Sequence, residues 1–149
     1  CGGDGLSRSG ALAQIDTLLS TITDPPFVAV YRGEPLAIAG TPVVAFWMTG
    51  RIPAFETLGD IGSRVSVMIR AFFRMQDSAD VRESIELEVW DAMVEIDSKL
   101  KSDANLGGHV TDSSVGSATI GYLNMGGGVF RTVSVPFEMQ LYSEVTITP

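Results

Sequence analysis

Cysteine and histidine each occur once in this 149-residue chain. One cysteine excludes an internal disulfide framework, and one Cys with one His leaves a zinc cluster without ligands. Basic residues are scarce: 10 Lys and Arg stand against 18 Asp and Glu, a net charge of −8. A chain this acidic is not built to coat nucleic acid by neutralising phosphates. No apolar run reaches 18 residues, so the sequence contains no transmembrane helix. What is abundant is hydrophobic surface, 45% of residues against 19% charged, which excludes a disordered chain. The length matches one domain with a core that needs no staples. Sixteen glycines imply long, pliable loops.

The first residues, Cys1-Gly2-Gly3-Asp4-Gly5, are small and flexible. They read as a processed or trimmed start with a free thiol; a mature lipoprotein begins the same way. Residues 1–8 are therefore expected as a flexible segment and 9–149 as a single domain.

Apolar periodicity predicts a helix over 9–22. Ala11, Leu12, Ile15, Leu18, Leu19 and Ile22 form its stripe, Ser9 is a possible cap, and Asp24-Pro25-Pro26 ends it. A β region follows: Phe27 to Tyr31, a turn at Arg32-Gly33-Glu34-Pro35, a short strand at Leu36 to Ala39, and an apolar run from Val43 to Met48. Thr49 to Ser63 reads as a long loop between two paired strands. Arg64 to Met75 alternates cleanly, with Val65, Val67, Ile69, Ala71, Phe73 and Met75 on one face.

A long helix is predicted over 78–102, capped by Asp77 or Ser78. Its core stripe is Val81, Ile85, Val89, Ala92, Met93, Ile96 and Leu100. Leu87, Trp90 and Val94 form a second stripe on the opposite side, where a helix resting on one sheet is normally polar. Another part of the chain covers that stripe, a second subunit does, or the three are simply scattered exposed residues. Residues 109–117 read as a polar loop, 118–124 as a strand, and 125–128 as a glycine turn. From Val129 to Ile147 the alternation runs too far for one strand of a small domain, so two pieces divided at Pro136 are expected. The fold class is α+β: a mainly antiparallel sheet, an N-terminal helix and one long central helix packed on it, and a long hairpin loop projecting.

Chemistry is hard to find. His109 stands alone on a loop, and Ser113 and Ser114 nearby have no triad spacing. Gly126-Gly127-Gly128 lacks the Lys and Ser or Thr of a phosphate loop. Glu88, Asp91 and Glu95 line one helix flank, where paired carboxylates serve acid–base work or hold a cation, but where a solvated flank is the ordinary reading. The arginines of 64–74 alternate along a strand and suit carboxylate partners across a protein interface. No catalytic residue, cofactor site or metal site is assigned.

The segments VYRGEP, TPVVAFWMTGR, FRMQDSADVRESIELEVWDAM, SDANLGGHVTD and FRTVSVPFEMQLYSEVTITP, in this order, resemble the tail terminator family of long-tailed bacteriophages. Its members are also called minor tail or neck proteins. The resemblance covers roughly residues 9–149 and carries no catalytic signature. It implies a structural virion protein, not an enzyme and without a cofactor. That protein forms a hexameric ring, caps the tail-tube protein and meets the head-closure protein of the neck, with DNA passing through the hole and no membrane involved. Under it, Leu87, Trp90 and Val94 are expected at the subunit interface. Arg51, Ile52, Phe55 and Leu58 are expected on the loop gripping the tube or neck, and Glu88, Asp91 and Glu95 in an acidic lumen that repels phosphate. Competing readings are another ring-forming neck or tube protein, a lipoprotein or periplasmic binding module, and an enzyme, which needs a pocket of convergent polar groups.

Overall fold

A computed structural model describes residues 8–38, 40–57, 60–76, 78–108, 110 and 112–144. Of residues 8, 9, 52–57, 60–63 and 141–144 it describes the backbone only. The elements are α1 (Arg8–Ser20), β1 (Ala29–Arg32), β2 (Val43–Thr57), β3 (Asp60–Arg74), α2 (Ala79–Lys101), β4 (Asp112–Val115), β5 (Thr119–Met125) and β6 (Gly128–Glu144), with a short 3-10 turn at Leu106–Gly108. The fold is α+β, and all strand pairs but β1–β2 are antiparallel.

The sheet runs β1-β2-β3-β6, and β6 carries two short strands on its far edge, β5 along its first half and β4 along its second. Alternation sorts the rows. Val44, Ala71 and Val133 form one row; Phe46, Ile69 and Val135 the next; Val67 and Phe137 the third. All are buried on the side where both helices lie. From α1 come Ala11, Ile15 and Leu19, and from α2 come Ile85, Val89, Ala92, Ile96 and Leu100. These are the two stripes that the 3.6-residue period predicts. Polar ties fix α1 in place: Arg32 Nε lies 2.7 Å from Asp16 Oδ2, and Gln14 Nε2 donates to Asp103 Oδ2 at 2.9 Å.

Several expectations need correction. The helix α1 begins at Arg8, so Ser9 lies inside it, not at its cap. Ser78 holds the N-cap position of α2 but makes no side-chain capping bond, and Asp77 lies outside the described residues. No strand forms over 36–38. The polar segment 109–117 contains β4, which exists because β6 offers it an open edge from Phe137 to Gln140.

The largest correction concerns 49–63. It is not a loop: β2 and β3 stay paired as far as Thr57 with Asp60, and β6 follows β3 to Asp60 opposite Glu144. The helix-covered core ends near Val65 and Met139. Beyond it this three-stranded ladder continues as an arm for seven residues of β2, about 20–25 Å. Its β2 edge is broken by register shifts between Met48 and Gly50 and between Pro53 and Phe55, devices that blunt an open edge.

β6 is likewise one continuous strand of 17 residues, not two pieces. Pro136 causes no break. It sits opposite Met68, and its carbonyl accepts from the Gly116 N–H at 2.8 Å on the other edge. In a strand the N–H and C=O of one residue point the same way. The hydrogen that Pro136 lacks therefore belongs to the gap between β4 and β5, and the β3 ladder loses nothing.

Candidate functional site

The functional reading rests on surfaces, so the question is what each face of the molecule leaves uncovered. On α2 the stripe opposite the core is bare: Leu87 is 64% exposed, Trp90 65% and Val94 52%. No part of the described chain covers it. Side chains three and four apart share a helix face, so these three form one patch.

The patch continues onto the sheet. Arg131 on β6 links the two elements: its guanidinium lies 2.9 Å from Glu86 of α2 and 4.6 Å above the Tyr122 ring on β5. The short approach of Nε to Glu86 is not aimed along the N–H; Nη2 donates to Glu86 Oε2 at 3.4 Å. Further along, Met93, Val94 and Asp97 share with Gly116, Ala118 and Val135 a recess of about 410 Å3. Tyr122 and Ile120, the neighbouring residues of β5 on this side, are also exposed. The uncovered surface thus spans the outside of α2 and the adjacent edge strand, and the sequence reading found only its helical half. The missing signal was the partner of β5, which alternation alone does not reveal.

The acidic residues share the helix with the stripe. Asp91 is exposed, and Glu88 and Glu95 are half-buried beside it. Between Arg82 and Lys99 the helix carries Glu83, Glu86, Glu88, Asp91, Glu95 and Asp97 and no basic residue. Glu88 is raised above its ordinary value, first by partial burial and then by the charge of Asp91. Carboxylates that crowd one another without a cation gain from a basic partner. Among the described residues no group of three or more His, Cys, Asp or Glu is arranged to hold a metal ion. His109 lies outside the described residues, and Ser113 donates to the Ala104 carbonyl at 2.7 Å.

The arm carries the residues expected to grip a tube. Arg51 is exposed opposite Val65, Ile52 pairs with Arg64 and Phe55 with Gly62. The side chains of Ile52 and Phe55, and all of Leu58, lie outside the described residues. Arg51, Ile52 and Phe55 are therefore distributed along a hairpin strand rather than gathered in a loop.

The side of the sheet away from the helices has no helix on it. Phe72, Val43, Ala45 and Phe130 are buried there, with Tyr31, Ile38, Trp47, Leu123 and Met125 half-exposed around them. Arg70 lies across this face, 5.4 Å from the Trp47 ring centre, with Nε donating to Ser134 Oγ at 2.8 Å. An antiparallel sheet with one wet face is normally polar there; this one is aromatic and aliphatic around fixed arginine.

The chain matches no family model, and no curated protein matches it. Among the described residues no helix is long and apolar enough to cross a membrane.

Proposed function

We propose that this chain is the subunit of a ring, hexameric in the reading the resemblance suggests, that caps the end of a phage tail tube. The ring joins the tube to the head-closure protein of the neck and lets DNA pass without holding it. The observation that carries the reading is the bare Leu87, Trp90 and Val94 stripe on α2. Three large hydrophobic side chains, each more than half exposed on one helix face, are costly to leave in water and mark a protein contact. Two further features support it. The arm extends beyond the helix-covered core and suits a contact with a stacked neighbour. A net charge of −8 disfavours retention of DNA. The work is structural: no chemical step is assigned to any residue, and the site of action is the virion, at the junction of tail and neck.

Immunogold labelling of tails from the virus that encodes the chain tests the proposal. Label at one end of each tail, on a ring of fixed rotational symmetry, is expected. Label along the whole tube makes this a tube protein, and unlabelled tails reject the reading.

A further inference from the structure

The outer edge of β5 is open. The Met75 N–H donates to the Val129 carbonyl at 2.9 Å, so Val129 turns its backbone groups towards the end of β3. Phe130, Thr132 and Ser134 then turn theirs towards β5, where their register partners Leu123, Gly121 and Thr119 take them up. The N–H and C=O groups of Ile120, Tyr122 and Asn124 point away from the sheet, and among the described residues no strand pairs with them. Natural sheets blunt such an edge with proline, charge or bulges. The β2 edge has its register shifts, but β5 pairs without a shift along all of Thr119–Met125 and holds neither proline nor charge. A wall stands beside this edge. Glu86, Trp90, Met93 and Asp97 share one flank of α2 by helical spacing. Glu86 is tied to Arg131, the register partner of Tyr122, and Met93 and Asp97 border Ala118. Trp90 lies between these two ties, exposed like Ile120 and Tyr122. An open row of backbone groups thus runs beside an apolar helix flank.

We infer that this groove takes an added strand, and that the strand is residues 145–149 of a second copy. Unpaired groups at alternate positions of a strand edge are satisfied by extended chain, with side-chain contacts giving the specificity. Of the two terminal segments outside the described residues, 1–7 holds three glycines and an aspartate, poor strand formers. Val145, Thr146, Ile147 and Thr148 are all β-branched. Alternation puts Val145 and Ile147 on one side, to lie against Trp90, and the segment brings no charged side chain into the groove. Reach decides whose groove is filled. From Ser134, the last residue opposite β5, β6 runs on to Glu144 at the arm tip, about 33 Å along the strand. Residues 145–149 span at most about 18 Å. They fall short of their own β5, so the groove they fill belongs to another copy. The contact deepens the ring reading and rests on it for closure. Each copy gives a strand at its arm tip and takes one beside α2, a head-to-tail contact that closes a ring or continues as a fibre.

Bismaleimide crosslinking tests the pairing on the full chain with Cys1→Ser. Thr119→Cys and Thr146→Cys are introduced together or singly, and the unfolding temperature of each variant is checked. The chain with both thiols is expected to give a ladder of oligomers. A mixture of the two single-thiol chains gives dimers and nothing larger, and each single-thiol chain alone stays monomeric. Two further substitutions in the two-thiol chain separate strand pairing from simple apolar contact. Ile120→Pro removes an outward N–H and nothing from the β6 ladder, whereas Ile120→Ala removes the same side chain and keeps the N–H. The proline variant is expected to give about tenfold less ladder than the alanine variant. If Ile120→Pro unfolds, excess Val-Thr-Ile-Thr-Pro peptide takes its place and is expected to suppress the ladder where its scrambled form does not. Equal ladders from the proline and alanine variants, or from the peptide and its scrambled form, overturn strand addition. Self-crosslinking of the Thr119→Cys chain overturns the inference in favour of a symmetric pairing of two β5 edges. Absence of any crosslink overturns it outright. If tails carry the chain at their ends and no product joins positions 119 and 146, the ring reading stands and this contact falls. If the ladder forms and tails are unlabelled, the contact stands and the tail assignment falls.

Discussion

Replacing Trp90 by Glu separates the stability of the subunit from its assembly. Trp90 is 65% exposed, so the chain itself covers only about a third of it. That is about 80 Å2, which at about 25 cal/mol per Å2 bounds the lost burial at about 2 kcal/mol. The new carboxylate stands four residues from Glu86 on an already acidic face, adding a few tenths of a kcal/mol. For a chain of this size the expected fall in Tm is about 3–7 °C. Ile96→Ala is the control: Ile96 is 0% exposed beneath the same helix. Its loss costs about 3–4 kcal/mol and about 10 °C. In the proposed ring, assembly reverses the ranking. A tryptophan at the centre of a subunit contact carries about 2 kcal/mol or more, about thirtyfold in one association constant. A ring of six repeats that loss at every junction, about 12 kcal/mol in all. Trp90→Glu tubes should therefore lack caps in negative-stain images, while Ile96→Ala protein still caps below its lowered Tm. Scanning fluorimetry and a count of capped ends decide. Normal capping by Trp90→Glu, or a Tm loss as large as that of Ile96→Ala, refutes the reasoning.

Other substitutions probe the scaffold. Gly116→Ala should destabilise by about 1–3 kcal/mol in a denaturant titration. An added Cβ there would sit 2.7 Å from Pro136 Cγ and 3.3 Å from the Pro136 carbonyl oxygen. Gly126 and Gly127 join β5 to β6 with φ of 58° and 80°, the pattern of a tight hairpin turn with both central residues left-handed. Gly126→Val should cost about 1–2 kcal/mol, purely from backbone strain, since nothing lies within 4 Å of the new Cβ; Gly126→Asn should cost less. Glu88 holds its proton to higher pH when folded than when unfolded. The proton-linked stability is therefore fully present below the ordinary value of 4.5 and is lost as pH rises through the raised folded value. Glu88→Gln should match the parent at low pH and exceed it at neutral pH by less than about 0.5 kcal/mol, read as the difference between Tm–pH profiles.

Both helices and their buried stripes were legible in the sequence, since Ile85, Val89, Ala92, Ile96 and Leu100 recur at helical spacing whatever lies beneath them. So were the pairing of 43–48 with 64–75 and the tight turn at Gly126-Gly127. The arm was missed because three glycines and a proline in 49–63 outweigh local β propensity. Its strands are held by a ladder to β6, more than 70 residues away. β4 was missed for the same reason: Asp112-Ser113-Ser114-Val115 reads as a loop until the edge of β6 is placed beside it.

Local periodicity thus determined which residues belong to helices and strands, which side of each is apolar, and that α2 has two apolar sides. Tertiary structure decided which of those sides finds a cover. It buried the Ile85–Leu100 stripe on the sheet, left Leu87, Trp90 and Val94 bare, and kept both helices on one face, so that Trp47 and Arg70 on the other are only half-buried. A side chain's direction along its own element follows from backbone geometry within a few residues. Whether anything stands opposite it depends on chain segments that sequence neighbours do not specify.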